Sequence, residues 1–102
     1  MQRILITGHT GFIGKRLFNK LSLTYDNIKG LDESYLEKNN WRQELINFLD
    51  DFNPTVIFHV GACSDTMEKD STYMFTRNYE STKIIADWTW ENNIPLIYPV
   101  YF

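Results

Sequence analysis

The sequence predicts an α/β fold, a doubly wound parallel sheet of about four strands joined by helices. Three observations predict it. Short apolar runs alternate with longer amphipathic segments, the pattern of strands connected by crossover helices. A glycine-rich turn, Gly8 to Gly14, stands where the first strand hands over to the first helix. The 102 residues, 43% hydrophobic and 23% charged, suit one compact globular domain and exclude a disordered or repetitive chain.

Taken in order, Arg3 to Thr7 is a β-branched run closed by Gly8 and reads as a buried strand. Phe12 to Leu23 sets Ile13, Leu17 and Leu21 on one helical stripe. Asn27 to Leu31 is a weaker strand ending at Asp32. Asn40 to Phe52 is the second helix, with Asn40 as its cap, Gln43 three residues on, and Leu45, Ile46, Leu49 and Phe52 as its buried face. Asn53-Pro54 ends it, because proline cannot continue the hydrogen-bond ladder. Thr55 to Val60 is a strong strand, followed by the small-residue loop Gly61-Ala62-Cys63-Ser64. Thr72 to about Glu91 is a helix with Ile84, Ile85 and Trp88 on one face. Asn92-Asn93 and Pro95 close it, and Leu96 to Val100 is the last strand. Helical crossovers make the strands parallel, so both faces of the sheet are covered.

Charge and composition narrow the function. The net charge is −3 with cations scattered among acids, which argues against nucleic-acid binding. One cysteine excludes a disulfide framework or cysteine-rich zinc site and favours a reducing compartment; no metal site is expected. The longest apolar stretches fall short of the roughly 20 residues of a membrane helix, and no secretory leader is legible. The expectation is a soluble cytoplasmic domain without membrane attachment.

The chemistry lies in Thr7-Gly8-His9-Thr10-Gly11-Phe12-Ile13-Gly14. Gly8 permits the tight turn, Gly11 admits a pyrophosphate against bare backbone, and Gly14 lets the helix lie against the sheet. The open amides and dipole of the helix start favour an anion. Asp32, at the next strand end, is placed to accept the adenosine ribose hydroxyls and to repel a 2′-phosphate, favouring NAD over NADP. The alternative is a solvated strand-end carboxylate. No arginine adjoins it, and Lys29 is a weak partner for a 2′-phosphate, so NADP stays open. The unit is Rossmann-type.

The spacing GHTGFIG resembles the extended short-chain dehydrogenase/reductase family, the NAD-dependent sugar-nucleotide epimerases and dehydratases. Residues 57–66, IFHVGACSDT, resemble the family's strand and loop beneath the cofactor. Asn78-Tyr79-Glu80-Ser81-Thr82 is similar to its Asn-x-x-Gly-Thr helix segment, with Ser81 in place of glycine. Within the family these blocks are most similar to the ADP-glyceromanno-heptose 6-epimerase branch. The short stretch after Asp32 looks more like the dTDP-4-dehydrorhamnose reductases, leaving the substrate class open. The resemblance implies that Phe12 and Ile13 meet the pyrophosphate through their backbone. It also implies that Gly61, Ala62 and Cys63 line the cofactor ribose and that Asn78 lies near the active site.

Cys63 otherwise reads as a small buried residue, and His59, inside an apolar strand, as a satisfied core histidine. The family's chemistry needs a strand-end Ser or Thr and a Tyr-x-x-x-Lys pair after the strand that Leu96 begins, and these 102 residues do not carry that block there. Tyr79 and Lys83 have the spacing but lie one helix too early, so no catalytic residue is assigned. The expectation is the N-terminal portion of the fold without a substrate domain, marginal alone. It would pair with a polypeptide carrying the catalytic half, or self-associate through Leu96 to Phe102. A non-catalytic NAD-binding module and a defunct remnant are the other readings.

Overall fold

The structure, a computed structural model, describes residues 1–60 and 71–98, the side chains of 71–75 excepted. Strand β1 (Ile4–Thr7) leads into α1 (Phe12–Ser22) and β2 (Ile28–Leu31). A 3-10 turn over Glu33–Glu37 precedes α2 (Trp41–Phe52), β3 (Val56–His59), α3 (Ser71–Glu91) and β4 (Leu96–Ile97). The four strands form one parallel sheet in the order β2-β1-β3-β4. Ile4 pairs with Ile28 on one side and Val56 on the other, and Thr7 stands between Leu31 and His59. The chain moves outward from β1 to β2, then crosses back to β3. The reversal falls at the carboxyl ends of β1 and β3, where open α/β sheets offer a crevice.

Alternation along β1 divides the core. Ile4 and Ile6 pack with Val60 against Leu17, Phe18 and Leu21 of α1. Leu5 faces the other way, into a larger cluster of Leu36, Trp41, Leu45, Leu49, Ile57, Ile85 and Trp88. Thus α1 covers one face, and α2 and α3 cover the other. The predicted doubly wound parallel sheet is the fold observed.

Several local expectations are corrected. The stripe of α1 is Gly14, Leu17, Phe18 and Leu21, and Ile13 lies outside it with 44% exposure. On α2 the face turned inward is Trp41, Leu45, Phe48, Leu49 and Phe52, with Ile46 exposed. Asn40 precedes α2 but makes no capping bond, because its backbone (φ −100°, ψ 27°) is not the extended conformation that aims a side chain at the first turn. Gln43 bonds Asn47 Oδ1 instead. Among the described residues strand β4 holds two paired residues, Leu96 and Ile97, and Tyr98 lies beyond it; the rest of the expected strand, Pro99 and Val100, lies outside the described residues.

The punctuation is as expected. Asn53 takes a left-handed conformation (φ 51°) and its amide closes α2 on Leu49 O at 2.8 Å, ahead of buried Pro54. Asn93 also turns left-handed after α3 (φ 57°), and there it is the Asn92 amide that closes the helix, on Trp88 O at 3.0 Å. The 3-10 turn was not legible beforehand. Asp32 caps it, Leu36 is fully buried beneath it, and the Arg77 guanidinium donates to the carbonyls of Leu36 and Lys38. Among the described residues no strand pairs with the outer edge of β2.

Candidate functional site

The β1–α1 corner is built from three glycines with different duties. Gly8 adopts φ 70°, a region costly for a side chain, and its amide reaches Leu31 O at 2.8 Å. Gly14 is buried, and a Cβ there would fall 2.0 Å from Gly8 O, so α1 can approach the turn only with glycine at this place. Gly11 is exposed, and a Cβ there would meet only Gly8 O, at an ordinary 3.5 Å. It is the N-cap of α1 in extended conformation (φ −76°, ψ 175°) and supplies no capping side chain. The first intrahelical bond runs from Lys15 N to Gly11 O at 2.8 Å, so the amides of Phe12, Ile13 and Gly14 precede it. The side chains of Phe12 and Ile13 are 75% and 44% exposed. A helix start with amides ahead of the first bond and no capping side chain can take an anion.

Three successive turn residues meet the end of β2. Gly8 bonds Leu31; the His9 ring occupies the space above Gly30, where a Cβ would lie 2.1 Å from His9 Cγ; and Thr10 Oγ1 donates to Asp32 Oδ1 at 2.5 Å. The other carboxylate oxygen of Asp32 accepts from Ser34 N at 3.4 Å. The Thr10 hydroxyl, ahead of the weaker cost of burial, holds the Asp32 carboxyl below the usual range. Its neighbour Glu33 goes the other way, pushed up to about 7 by burial and then by the charge on Asp32. Lys29 is turned elsewhere, its ammonium 5.1 Å above the Phe52 ring.

Across the crevice, His59 is 2% exposed and joins three elements. Its Nδ1 lies 2.7 Å from Thr7 Oγ1 and its Nε2 lies 2.8 Å from Thr82 Oγ1, which itself donates to Asn78 O at 2.8 Å. Because Thr82 spends its proton on Asn78, it must accept from Nε2–H, and Nδ1 then accepts from Thr7. Burial pushes the imidazole down to about 4, so it is neutral at pH 7. This is the satisfied core histidine expected, and it ties the half-buried Asn78 segment of α3 to the ends of β1 and β3. Tyr79 and Lys83 lie on the exposed face of α3, away from the Ser81, Ile85 and Trp88 side. Gly61, Ala62 and Cys63 lie outside the described residues.

The sequence signature of the NAD dependent epimerase/dehydratase family matches residues 4–100. The chain belongs to this family. It is similar to the ADP-L-glycero-D-manno-heptose-6-epimerase of Brachyspira hyodysenteriae, with 34% identity over 93% of the chain and 36% of that protein. Among solved structures it resembles the L-threonine dehydrogenase of Phytophthora infestans (TM-score 0.73, 16% identity, 95% of this chain and 35% of that one). It also resembles the L-threonine 3-dehydrogenase of Trypanosoma brucei (TM-score 0.67, 20% identity, 97% and 36%). These two likenesses confirm the fold. The chain spans about a third of the length of each of these relatives. Membership in the epimerase/dehydratase family implies a nicotinamide dinucleotide as cofactor.

The expected site residues thus divide. The structure brings Gly8, Gly11, Phe12, Ile13, Gly14 and Asp32 to one corner and sets Asn78 behind His59, on the α2/α3 side of the sheet. Sequence reasoning placed Thr10 and Thr82 within its motifs but gave them no role of their own, and it missed Ser34 and the His9–Gly30 contact. A hydroxyl at the second variable position of the glycine turn was the one available signal.

Proposed function

We propose that these residues form the dinucleotide-binding part of a nucleotide-sugar epimerase or dehydratase, and that they bind NAD rather than NADP. The observation that carries the reading is the uncapped start of α1 behind Gly11, held tight to the strand end by Gly8 and Gly14. The amides of Phe12, Ile13 and Gly14 would hold the pyrophosphate, and Asp32 the adenosine ribose. Gly61, Ala62 and Cys63 would line the crevice, and Asn78 would stand near the nicotinamide end. Bound there, the dinucleotide supplies a ring that takes up and returns hydride. The chain's own contribution is to bind and orient it. Catalysis would draw on a Tyr-Lys pair outside these 102 residues, on the same or a separate polypeptide, since Tyr79 and Lys83 occupy the solvent face of α3. The 34% likeness to a heptose epimerase favours a sugar nucleotide as substrate of the whole assembly.

Calorimetric titration of the purified chain with NADH tests the reading. The expected result is saturable one-to-one binding displaced by ADP-ribose. Heats that never saturate would overturn it.

A further inference from the structure

The carboxylate of Asp32 is exposed to solvent at the strand end, yet both of its oxygens are engaged from within the chain. Thr10 Oγ1 donates to Oδ1 at 2.5 Å from the glycine turn, and Ser34 N donates to Oδ2 at 3.4 Å from the 3-10 turn. Thr10 itself is fixed. It follows His9, whose ring fills the space left by Gly30, and Gly8, whose amide is bonded to Leu31. An ionised carboxylate has about four acceptor positions, two on each oxygen. The Thr10 hydroxyl and the Ser34 amide take up part of that capacity, and the Ser34 hydroxyl and Glu33 amide act as further donors that keep the carboxyl ionised.

We propose that Thr10 is a specificity-determining residue: its hydroxyl latches the Asp32 carboxylate at the strand end, so that it is presented to a ribose diol and cannot swing away from a 2′-phosphate. This rests on the proposed dinucleotide site. A free aspartate can rotate about its side chain and withdraw its charge. One held at both oxygens meets a 2′-phosphate with a fixed negative charge. Lys29, the cation closest in sequence, is drawn off over Phe52 and offers that phosphate no counter-charge. Discrimination between the two dinucleotides therefore depends on a hydroxyl in the turn as well as on the acid at the strand end.

The test compares Thr10→Val, which keeps the side-chain shape, with Thr10→Ser, which keeps the hydroxyl, each titrated with NADH and NADPH alongside the unmodified chain. Thr10→Val should lower the NADH-over-NADPH preference by about tenfold, the scale of one charge-assisted hydrogen bond, and Thr10→Ser should restore most of it. The acid limb of NADH binding should also move toward higher pH in Thr10→Val, because the carboxylate loses the bond that keeps it ionised. A purely structural role would weaken both dinucleotides alike and leave the preference and the acid limb in place. An unchanged preference in a Thr10→Val protein that still binds NADH would overturn the latch and leave the dinucleotide site standing. No binding of either dinucleotide by the unmodified chain would overturn both.

Discussion

The two sides of the sheet carry unlike burdens. Beneath α2 and α3, Leu5, Trp41, Leu45, Leu49, Ile57 and Ile85 are all essentially inaccessible to water, and the 3-10 turn adds Leu36 to the same cluster. Beyond the carboxyl ends of β1 and β2, the chain instead presents glycines, a helix start without a cap, and an acidic side chain held by hydroxyl and amide. One region is organised by area removed from water and tolerates no loss of volume. The other is organised by backbone conformation and leaves its polar groups available. Substitutions should therefore separate into those that unfold the chain and those that only blind it.

The largest effect should come from the closed region. Trp41→Ala removes the largest fully buried side chain, and the ensuing cavity should cost about 3–5 kcal/mol, enough to unfold a domain of this size. Urea denaturation monitored by far-ultraviolet circular dichroism checks this. A loss below about 1 kcal/mol would mean that the cluster is not the seat of stability.

His59 sits at the seam of the two regions and should make stability depend on pH. Its folded value near 4 is below the ordinary 6.5, so the unfolded chain binds the extra proton first. The neutral ring's contribution is complete above about pH 6.5 and is lost as pH falls toward 4, amounting to about 3 kcal/mol over that window. Glu33 opposes it. Raised from 4.5 to about 7, it favours the folded chain at low pH, and that contribution is lost as pH rises through 7. The two contributions largely offset each other, so thermal melts of the unmodified chain between pH 4 and 7 should show little net change from this pair. His59→Gln should leave the Glu33 contribution exposed, with stability falling as pH rises, and Glu33→Gln should leave the His59 contribution, with stability rising with pH. Identical profiles for His59→Gln and the unmodified chain would contradict the buried neutral ring.

The contrast also explains what could be read from the sequence. Strands β1 and β3 and the three helices are legible because apolar spacing follows the backbone period, and Asn53-Pro54 and Asn92-Asn93 mark helix ends by local conformation alone. The glycine turn is legible because each glycine answers a local need. The 3-10 turn is not, because Tyr35 and Leu36 are drawn inward by α2 and α3, which lie far along the chain. The choice of Phe48 over Ile46 on α2 is settled by where the helix sits on the sheet, a matter the four-residue stripe leaves open. The Thr10–Asp32 bond spans 22 positions and exists because the register sets Thr7 beside Leu31, which no pattern within either segment encodes.

A smaller stability loss is expected at Gly14. The Cβ of Gly14→Ala would stand 2.0 Å from Gly8 O, so α1 must retreat from the turn, at a cost of about 1–3 kcal/mol. NADH affinity should fall with it, since the same movement opens the corner. Unfolding curves and NADH titrations of this variant that match the unmodified chain would show that the close approach is not needed.

Gly11 gives the sharpest version of the contrast, because there the two readouts should move in opposite directions. Its φ of −76° suits any L-residue, and a Cβ would meet nothing nearer than 3.5 Å. The position is the N-cap of α1, where aspartate outperforms glycine by a few tenths of a kcal/mol, because its carboxylate can accept from the open amides of the first turn. Gly11→Asp should therefore leave stability unchanged or slightly raised in urea denaturation. The same carboxylate would occupy the amides that the pyrophosphate needs and repel its charge, so calorimetry should find no NADH binding. A variant that is as stable as the unmodified chain and binds NADH equally well would show that the start of α1 is not where the dinucleotide is held. One that unfolds would show that this glycine belongs with Gly14 as part of the scaffold.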